Sequence, residues 1–442
     1  MNQDKRLTKI AIPVALQNLM LALVAVSDAL MLGNIEQNAM SAVSLATQVQ
    51  FIQNIFFFAM VSAGAILGAQ YWGKKDTFSF RDVYNTLLRL TVLTSVIFCL
   101  LCELVPGFLM RLFTNEPTLI EIGVSYLKIA GWSYLLVGTS QSLLSLMKVS
   151  DHVKTTVVIS VGTVVLNIIL NAVLIYGLFG LPRMEAEGAA LATLIVRILE
   201  FIISAGIVFC KGYTAPNLKR LFVWNRPLVA DYLKCFLPLF GAGLLWGVGF
   251  TAYSAFMGHL GEDAAAASSI CAVVRDCVCC VTEGLATGAG IVIGNELGSG
   301  HLTEAKNYGD RIVRIAFITG VLSAVMMFLL TFPVTKFVKL TEDARILLYG
   351  MMIVMSVYMI GRCVNTIVIN GIFAAGGDTM FDLYSLAITM WGIAVPLAAL
   401  GTFLFHLNPV LVYACTCLDE VGKIPWTIQH FRKYKWVRNL TR

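Results

Sequence analysis

Long apolar stretches alternate with short polar ones along the whole chain. Each apolar stretch has the 20 or so residues that a helix needs to cross a hydrocarbon layer about 30 Å thick. None shows the alternation of apolar and polar positions that a membrane-spanning strand requires. The pattern predicts an all-α integral membrane protein with twelve transmembrane helices, over residues 10–33, 41–72, 84–106, 121–147, 154–178, 187–210, 230–258, 264–296, 308–332, 345–373, 380–403 and 408–430.

The composition agrees with this pattern. The 442 residues are 58% hydrophobic and 13% charged, whereas a typical soluble domain has about 25% charged residues. So little charge cannot cover the surface of soluble domains of this length, which argues against a soluble enzyme. No cleavable signal peptide is evident, and the eleven cysteines form no secreted disulfide framework. We therefore expect a multi-pass protein of the cell (inner or plasma) membrane.

Basic residues concentrate on one side of the predicted membrane. Twelve spans place both termini on the same side, together with the linker 211–229 and the basic tail 423–442. Lys and Arg accumulate in cytoplasmic loops, so both termini are predicted to be cytoplasmic. The same bias accounts for the net charge of +6 without a nucleic-acid partner. The opposite loops carry only Arg111, Arg183, Lys336, Lys339 and Arg345.

The two halves of the chain are related to each other. Four residues of the first half recur at a constant spacing of 225 (238 − 13, 298 − 73) in the second: Pro13 and Pro238, Gly33 and Gly258, Ala39 and Ala264, and Gly73 and Gly298. The repeat predicts two six-helix bundles, residues 1–210 and 230–442, joined by a cytoplasmic linker at 211–229. Both halves begin on the same side of the membrane. Transporters commonly use such repeats and place the substrate site between them.

Several short motifs occur in an order typical of one transporter family: Pro13–Asn18 with Ser27–Gly33, Gly68–Gly73, Leu166–Asn171 with Gly177, Gly188–Thr193, Gly294–Gly298 and Gly371–Thr379. With this set, the sequence resembles the MATE (multidrug and toxic compound extrusion) family over nearly its whole length, and its DinF-like branch in particular. The resemblance implies a V-shaped pair of six-helix bundles. It also implies export of drugs or metabolites, often organic cations, in exchange for protons or sodium and without a cofactor.

Two positions depart from that family's pattern. A NorM-like branch carries a glutamate in the seventh helix, where this chain has Trp246. Relatives with a second carboxylate in the fifth helix have it four residues after an asparagine. Here Asn167 is followed at that spacing by Asn171. The coupling chemistry of those relatives therefore does not transfer whole.

Asp28 is the first candidate for the coupling-ion site, because ionisable groups in a membrane span are costly and mark function by default. It shares a helical face with Gln17, while Asn167 and Asn171 present two amides at i and i+4 of the fifth span. A carboxylate beside neutral amides can bind and release a proton, and its oxygens also suit sodium. A structural hydrogen bond between the first and fifth helices is the alternative. Tyr253 is the repeat equivalent of Asp28.

A second group of charges belongs to the second half only. Arg275, Asp276 and Glu283 lie in the eighth predicted span, and Arg362 lies in the tenth. The repeat equivalents of the three eighth-span residues are Gln50, Phe51 and Phe58, which are uncharged. Two interpretations stay open for this group: a buried ion-pair network that fixes helix packing, or a second coupling site or substrate contact.

Four amides are candidates for lining a substrate cavity, with a packing role as the alternative: Gln53, Asn54, Asn365 and Asn370. No nucleophile–base constellation, nucleotide-binding loop or zinc motif occurs, so we expect no enzyme, no cofactor and no metal other than sodium at Asp28. The expected partners are a small-molecule substrate and the lipid bilayer, and the expected state is a monomer. Two other functions remain open, a lipid-linked saccharide flippase of the same superfamily and a membrane receptor or enzyme without transport.

Overall fold

The protein is all-helical over the residues that the computed structural model describes, 3–33, 37–180, 182–211, 213–338 and 340–441. Of residues 23–33 and 37, only the backbone is described. We number twelve long elements α1 (Gln3–Gly33), α2 (Gln37–Gly73), α3 (Thr77–Leu104), α4 (Pro117–Val149), α5 (Val153–Tyr176), α6 (Glu185–Cys210), α7 (Arg226–His259), α8 (Glu262–Gly298), α9 (Leu302–Phe337), α10 (Glu342–Asn365), α11 (Met380–Leu386) and α12 (Pro409–Thr416).

Several of these elements continue past a local change in helical geometry. Element α10 runs on as a π-helix over Thr366–Phe373. Element α11 continues through Ala387–Ala394, Val395–Ala399 and Leu400–Leu404, and α12 is followed by two short helices, Leu418–Val421 and Ile424–Arg432. A further short helix, Pro106–Arg111, follows α3.

Ten helices in the described part of the chain are long and apolar enough to cross a membrane, and they correspond to α2 through α11. Element α1 has 31 residues, and α12 with its two continuations covers residues 409–432. These two segments complete the twelve spans. The prediction of an all-α integral membrane protein with twelve transmembrane helices is confirmed.

The internal repeat is visible in the helix boundaries. Elements α2 and α8 both contain 37 residues, and they begin at Gln37 and Glu262 and end at Gly73 and Gly298. The spacing of 225 (262 − 37, 298 − 73) is the one found in the sequence. Elements α3 and α9 begin at positions 77 and 302, and α4 and α10 at 117 and 342, again 225 apart. The repeat therefore concerns whole helices rather than isolated residues.

The chain contains two compact units, each continuous in space but not in sequence. Unit 1 comprises residues 1–18, 69–75 and 234–442, and unit 2 comprises residues 19–68 and 76–233. A methionine-rich cluster forms part of the core of unit 1, with Met351, Met352 and Met359 fully buried. Unit 2 has a core around Leu127 and Tyr134. The predicted bundle limits at 210 and 230 remain a prediction.

Within unit 1, the ends of α2 and α8 meet through a reciprocal pair of contacts. A side chain on Gly73 would overlap the backbone of Asn295, and a side chain on Gly298 would overlap the backbone of Gln70. Positions 70 and 295, like 73 and 298, are related by the spacing of 225. Only glycine permits such an approach of two backbones, so the repeat preserves these glycines for a steric reason.

The last described residues, 433–441, form a segment that we call the C-terminal strap. Trp436 is fully buried and stacks on Phe431 with ring centroids 5.7 Å apart. The side-chain oxygen of Gln70 accepts a 2.6 Å hydrogen bond from the backbone N–H of Leu440, and its amide nitrogen donates to the carbonyl of Arg438 at 3.2 Å. The strap thereby ties the end of α2 into unit 1.

Candidate functional site

The last predicted span, residues 408–430, is broken in its middle, and the break carries three charges. After Thr416 the chain forms only the one-turn helix Leu418–Val421, then starts again at Ile424 with Pro425 in the first turn. Proline suits the first turn of a helix and cannot continue one that precedes it. The interruption places Asp419, Glu420 and Lys423 in the interior of unit 1, where each residue is at most 5% exposed.

Glu420 is the centre of a group of ion pairs that we call the Glu420 cluster (Glu283, Arg362, Asp419, Glu420 and Lys423). One Glu420 oxygen lies 3.1 Å from a guanidinium nitrogen of Arg362, and the other lies 3.7 Å from the Lys423 ammonium. A second nitrogen of Arg362 lies 3.6 Å from Glu283. Glu283, Arg362, Glu420 and Lys423 therefore each have a partner of opposite charge.

Asn365 fixes the Glu420 carboxylate in position. Its amide nitrogen donates 2.7 Å hydrogen bonds to a carboxylate oxygen and to the backbone carbonyl of Glu420. Its carbonyl oxygen accepts from the hydroxyl of Thr427 at 3.0 Å. The π-helical stretch of α10 begins one residue later, at Thr366, and such stretches occur frequently at functional sites.

Close backbone approach makes this arrangement possible. A side chain on Gly361 would lie 2.8 Å from the carbonyl oxygen of Glu420, too near for an unshifted structure. The glycine lets α10 pass directly beside the helix Leu418–Val421. Arg362 and Asn365 are one helical turn apart and so reach the same carboxylate.

The charges of the Glu420 cluster do not balance. Three carboxylates, Glu283, Asp419 and Glu420, face two cations, Arg362 and Lys423. Asp382 adds a further carboxylate within electrostatic range of Lys423, Glu420 and Arg362. An uncompensated buried charge is expensive. The cluster is thus at least one positive charge short when all its carboxylates are ionised, among the groups that the structure describes.

Asp419 connects the cluster to a cavity of about 200 Å³ inside unit 1. One Asp419 oxygen accepts a hydrogen bond of 3.4 Å from the hydroxyl of Tyr253. The other oxygen is buried and has no hydrogen-bond partner among the described residues. Polar side chains from α7, α8, α10, α12 and the short helix Leu418–Val421 line the cavity: Tyr253, Ser254, Ser268, Ser269, Arg275, Tyr358, Tyr413, Thr416 and Asp419. The cavity therefore offers a carboxylate oxygen with spare capacity to accept a proton or a cation.

Arg275 and Asp276 form their own pair beside this cavity. The guanidinium lies 2.8 Å from the neighbouring carboxylate and 5.1 Å from the ring centroid of Phe250. The Arg275 side chain is 15% exposed and that of Asp276 is 59% exposed. Arg275 therefore adds a balanced charge to the cavity wall, and the surplus of the Glu420 cluster is unchanged.

The candidates of the first half are only partly described. The side chain of Asp28 lies outside the described residues. In α5, the Asn171 amide donates to the Asn167 carbonyl oxygen at 3.3 Å, so the two amides are paired with each other. Gln17 is buried. Gln53 is fully buried and donates to the backbone carbonyl of Tyr134 at 3.2 Å.

Two other amide candidates are exposed. Asn54 in α2 and Asn370 in the π-helical part of α10 are both exposed side chains. Of the four amides proposed to line a cavity, Asn365 is the one that binds a member of the Glu420 cluster. The cavity of unit 1 described above is lined by none of the four.

Sequence reasoning missed the centre of the site. Asp419 and Glu420 are not among the predicted site residues. Lys423 is predicted to lie in the basic cytoplasmic tail, and this is corrected, because the residue is 2% exposed and pairs with Glu420. The error arose because no charge of the last predicted span was counted as deep, although Asp419 and Glu420 lie at the middle of residues 408–430. A signal was present, since three charges fall within five residues of a span that also contains Gly422 and Pro425.

Comparison with known proteins assigns the family. The MatE family profile matches residues 13–173 and 238–400, which is most of the chain and falls once in each half. The chain belongs to the MatE family. Members of this family are transporters and not enzymes, so the resemblance to MATE transporters and the expectation of a transporter are confirmed. A multi-pass membrane location follows from the family and from the ten spanning helices.

Individual relatives are distant but match over most of their length. "Uncharacterized transporter YisQ" of Bacillus subtilis is 23% identical over 384 residues, 86% of this chain and 83% of the relative. "Multidrug resistance protein NorM" of Photobacterium profundum is 24% identical over 445 residues, 99% of this chain and 96% of the relative. The sequence likeness to these relatives therefore extends over most of the chain.

Solved structures give the same fold. An outward-facing multidrug resistance MATE family transporter of the MOP superfamily superposes with a TM-score of 0.89 at 16% identity, covering 98% of this chain and 97% of the other. A MOP superfamily transporter from Pyrococcus furiosus, described as having a binding pocket of reverse polarity, gives 0.88 at 16% identity, covering 98% and 97%. At these identities the likeness concerns the fold alone.

Proposed function

We propose that this MatE protein is a secondary active antiporter that exports drugs or metabolites, organic cations among them, in exchange for protons or sodium. The family membership, together with relatives named as multidrug resistance proteins, supports drug efflux as the activity. The surplus of buried carboxylate in the Glu420 cluster supports coupling to a cation. Export then proceeds by alternating access between the two predicted bundles, residues 1–210 and 230–442.

The observation that carries the proposal is Asp419, which lines the cavity of unit 1 and has one carboxylate oxygen without a hydrogen-bond partner among the described residues. A proton or a sodium ion placed there removes the surplus negative charge, and sodium prefers oxygen ligands. The hydroxyl of Tyr253 is 3.4 Å from the other oxygen. Binding of the cation removes the surplus negative charge of the five-residue Glu420 cluster, and its release restores that charge. Such a change in charge is able to drive a switch between two conformations.

The first half contributes a second proposed ion site at Asp28, with Asn167 and Asn171 as amide neighbours. Tyr253 stands 225 positions after Asp28, so the position proposed to bind the ion in the first half corresponds to a cavity-lining position in the second. Gln17 shares the helical face of Asp28. The two halves would then use carboxylates from different helices. Asp28 lies in α1, and Asp419 lies in the short helix Leu418–Val421 that follows α12.

The energy available from one inward charge sets a limit on the work. Movement of one charge across 100 mV supplies about 2.3 kcal/mol, and about 1.4 kcal/mol corresponds to a tenfold gradient. One coupling ion therefore sustains roughly a 40-fold gradient of a neutral substrate. Inward movement of the ion then drives the substrate outward across the cell membrane. We also propose that both termini are cytoplasmic and that the protein acts as a monomer in the cell membrane.

The test is transport by purified protein in liposomes, with a proton or a sodium gradient imposed separately. Uptake of a fluorescent organic cation into inside-out oriented vesicles should follow one of the two gradients. Asp419→Asn should abolish that gradient dependence, because it keeps the shape of the side chain and loses the charge. Asp343→Asn, an exposed residue in the first turn of α10, is the matched control. Wild-type gradient-driven rates in Asp419→Asn would refute the role of this residue.

A flippase for a lipid-linked saccharide is the second candidate. Such a protein needs a strongly cationic cavity to hold a pyrophosphate group. The cavity of unit 1 has Arg275 in its wall, and that guanidinium is paired with Asp276, so the charge count of the described residues favours a cation over a polyanion. Gradient-independent flipping of a labelled lipid-linked sugar in the same liposomes would favour the flippase.

A further inference from the structure

The linker between α6 and α7 is folded against the start of α3 in unit 2. Arg89 donates to the carbonyl of Val223 at 2.9 Å, and its guanidinium lies 4.7 Å from the ring centroid of Trp224. Asn85 donates to the carbonyl of Asn217 at 3.3 Å. The linker is thus a structured surface whose backbone is attached to a membrane-spanning helix.

The same surface presents large aromatic side chains to the outside. Phe222 is 85% exposed, Trp224 is 61% exposed and Phe78, in the first turn of α3, is 55% exposed. The Arg220 guanidinium lies 4.4 Å from the ring centroid of Phe78. In a water-soluble setting this much exposed aromatic surface would be unfavourable. It is explained if the rings lie at the boundary between water and lipid, where aromatic residues concentrate.

The charge of the linker has one sign. Residues 211–230 contain Lys211, Lys219, Arg220 and Arg226 and no acidic residue. The acidic groups packed against them are already engaged, because Asp82 lies 3.8 Å from Arg220 and Asp76 caps α3 through Ser79. Lys211, Lys219 and Arg226 are exposed. The outward field of this surface is therefore positive.

Cations and exposed aromatic rings together identify the partner by its chemistry. The linker connects the end of one spanning helix, Cys210, to the start of the next, Arg226, so it lies beside the membrane surface. Basic residues at this level attract anionic lipids, and aromatic rings insert among the headgroups. We propose that residues 213–226, together with Phe78, form a binding surface for the headgroups of anionic phospholipids. This proposal depends on the membrane fold and not on the transported substrate or the coupling ion.

The experiment measures lipid binding to the full-length protein in neutral detergent, by native mass spectrometry with phosphatidylglycerol and with phosphatidylcholine. Each cation near an anionic surface contributes about 1 kcal/mol, so Lys219→Gln/Arg226→Gln should weaken phosphatidylglycerol binding roughly 30-fold. Phosphatidylcholine binding should not change. Wild-type affinity of the double variant for phosphatidylglycerol would overturn the proposal.

A matched control separates a defined surface from general attraction. Arg432→Gln/Lys433→Gln removes the same charge from two exposed residues on the same predicted side of the membrane, where the neighbouring Phe431 and Trp436 are buried. This double variant should keep most of the wild-type affinity for phosphatidylglycerol. An equal loss in both double variants would overturn the proposal, because attraction would then depend on net charge alone.

A second measurement tests contact of the aromatic rings with lipid and is independent of the charge changes. The difference in emission between the wild type and Trp224→Phe isolates Trp224 in bilayers that contain phosphatidylglycerol with brominated acyl chains. Bromine quenches tryptophan at short range, so this difference should fall relative to unbrominated bilayers. An unquenched Trp224 would place the ring in water and contradict the proposal.

Discussion

Replacement of Arg362 by methionine tests how strongly the Glu420 cluster holds unit 1 together. Arg362 is 3.1 Å from Glu420 and 3.6 Å from Glu283, so its single positive charge is shared between two carboxylates. Its removal raises the surplus of negative charge in the cluster from one to two, with Lys423 as the remaining cation among the described residues. We expect Arg362→Met to be among the most destabilising single substitutions in this half.

The magnitude follows from the burial of the partners. Glu420 is 5% exposed, and removal of one partner from a buried pair costs about 3–5 kcal/mol. That range corresponds to a loss of roughly two to almost four powers of ten in the ratio of folded to unfolded protein. Arg345, in the first turn of the same helix, lies 2.9 Å from the carboxylate of Glu342. The Arg345 side chain is 43% exposed and the Glu342 side chain is 74% exposed. Arg345→Met should cost less than about 1 kcal/mol.

The assay is thermal unfolding of the purified variants in one detergent, followed by the fraction that remains monodisperse. The double variant Arg362→Met/Glu420→Gln restores the wild-type surplus of one negative charge, and it should be more stable than Arg362→Met alone. The reasoning is refuted if Arg362→Met loses no more stability than Arg345→Met. It is also refuted if the loss of stability in the double variant equals the sum of the losses in Arg362→Met and Glu420→Gln measured singly.

Three further predictions concern other parts of the molecule. Gly73→Ala should lower the free energy of unfolding by about 3 kcal/mol, because the opposing atoms belong to backbone and cannot rotate away. Gly206→Ala, whose added methyl group meets nothing within 4 Å, should be neutral or stabilising by up to about 1 kcal/mol, and melting temperatures that fall equally in both variants would contradict this. Trp436→Ala should lower the free energy of unfolding by about 3–5 kcal/mol because the ring is fully buried, and an unchanged melting temperature would show that the strap does not stabilise unit 1. Asp28→Asn should fold and keep its melting temperature yet lose ion-driven export in liposomes, and wild-type export would exclude a coupling role for Asp28.

Hydrophobicity and the repeat could be read from the sequence because both are strong signals. A spanning helix needs about 20 apolar residues in succession, so α3 or α9 cannot be mistaken for a loop. The repeat rests on residues that steric limits preserve, such as Gly73 and Gly298. The π-helical stretch after Asn365 could not be foreseen, because its hydrogen-bond pattern depends on how α10 packs against the broken α12.

Only some members of the Glu420 cluster could be predicted from the sequence. Arg362 and Glu283 were candidates from their depth in predicted spans, and the structure places them 3.6 Å apart. Glu420 was missed although it lies at the middle of the predicted span 408–430, where the same argument from depth applies. The structure shows that the span is interrupted there and that Glu420 is 5% exposed. Local sequence pattern could not show which partners surround it, since these depend on how α10 passes beside the break at Gly361.

The C-terminal strap also has a consequence for the order in which the chain matures. The side chain of Gln70 and the backbone of Leu440 are bonded across 370 positions. A ribosome adds about 5–20 residues per second, so α2 enters the membrane on the order of tens of seconds before its partner exists. During that interval the Gln70 amide must be satisfied by water or by transient neighbours. The Gly73 end of α2 therefore acquires these contacts only after α3 to α12 have all been synthesised.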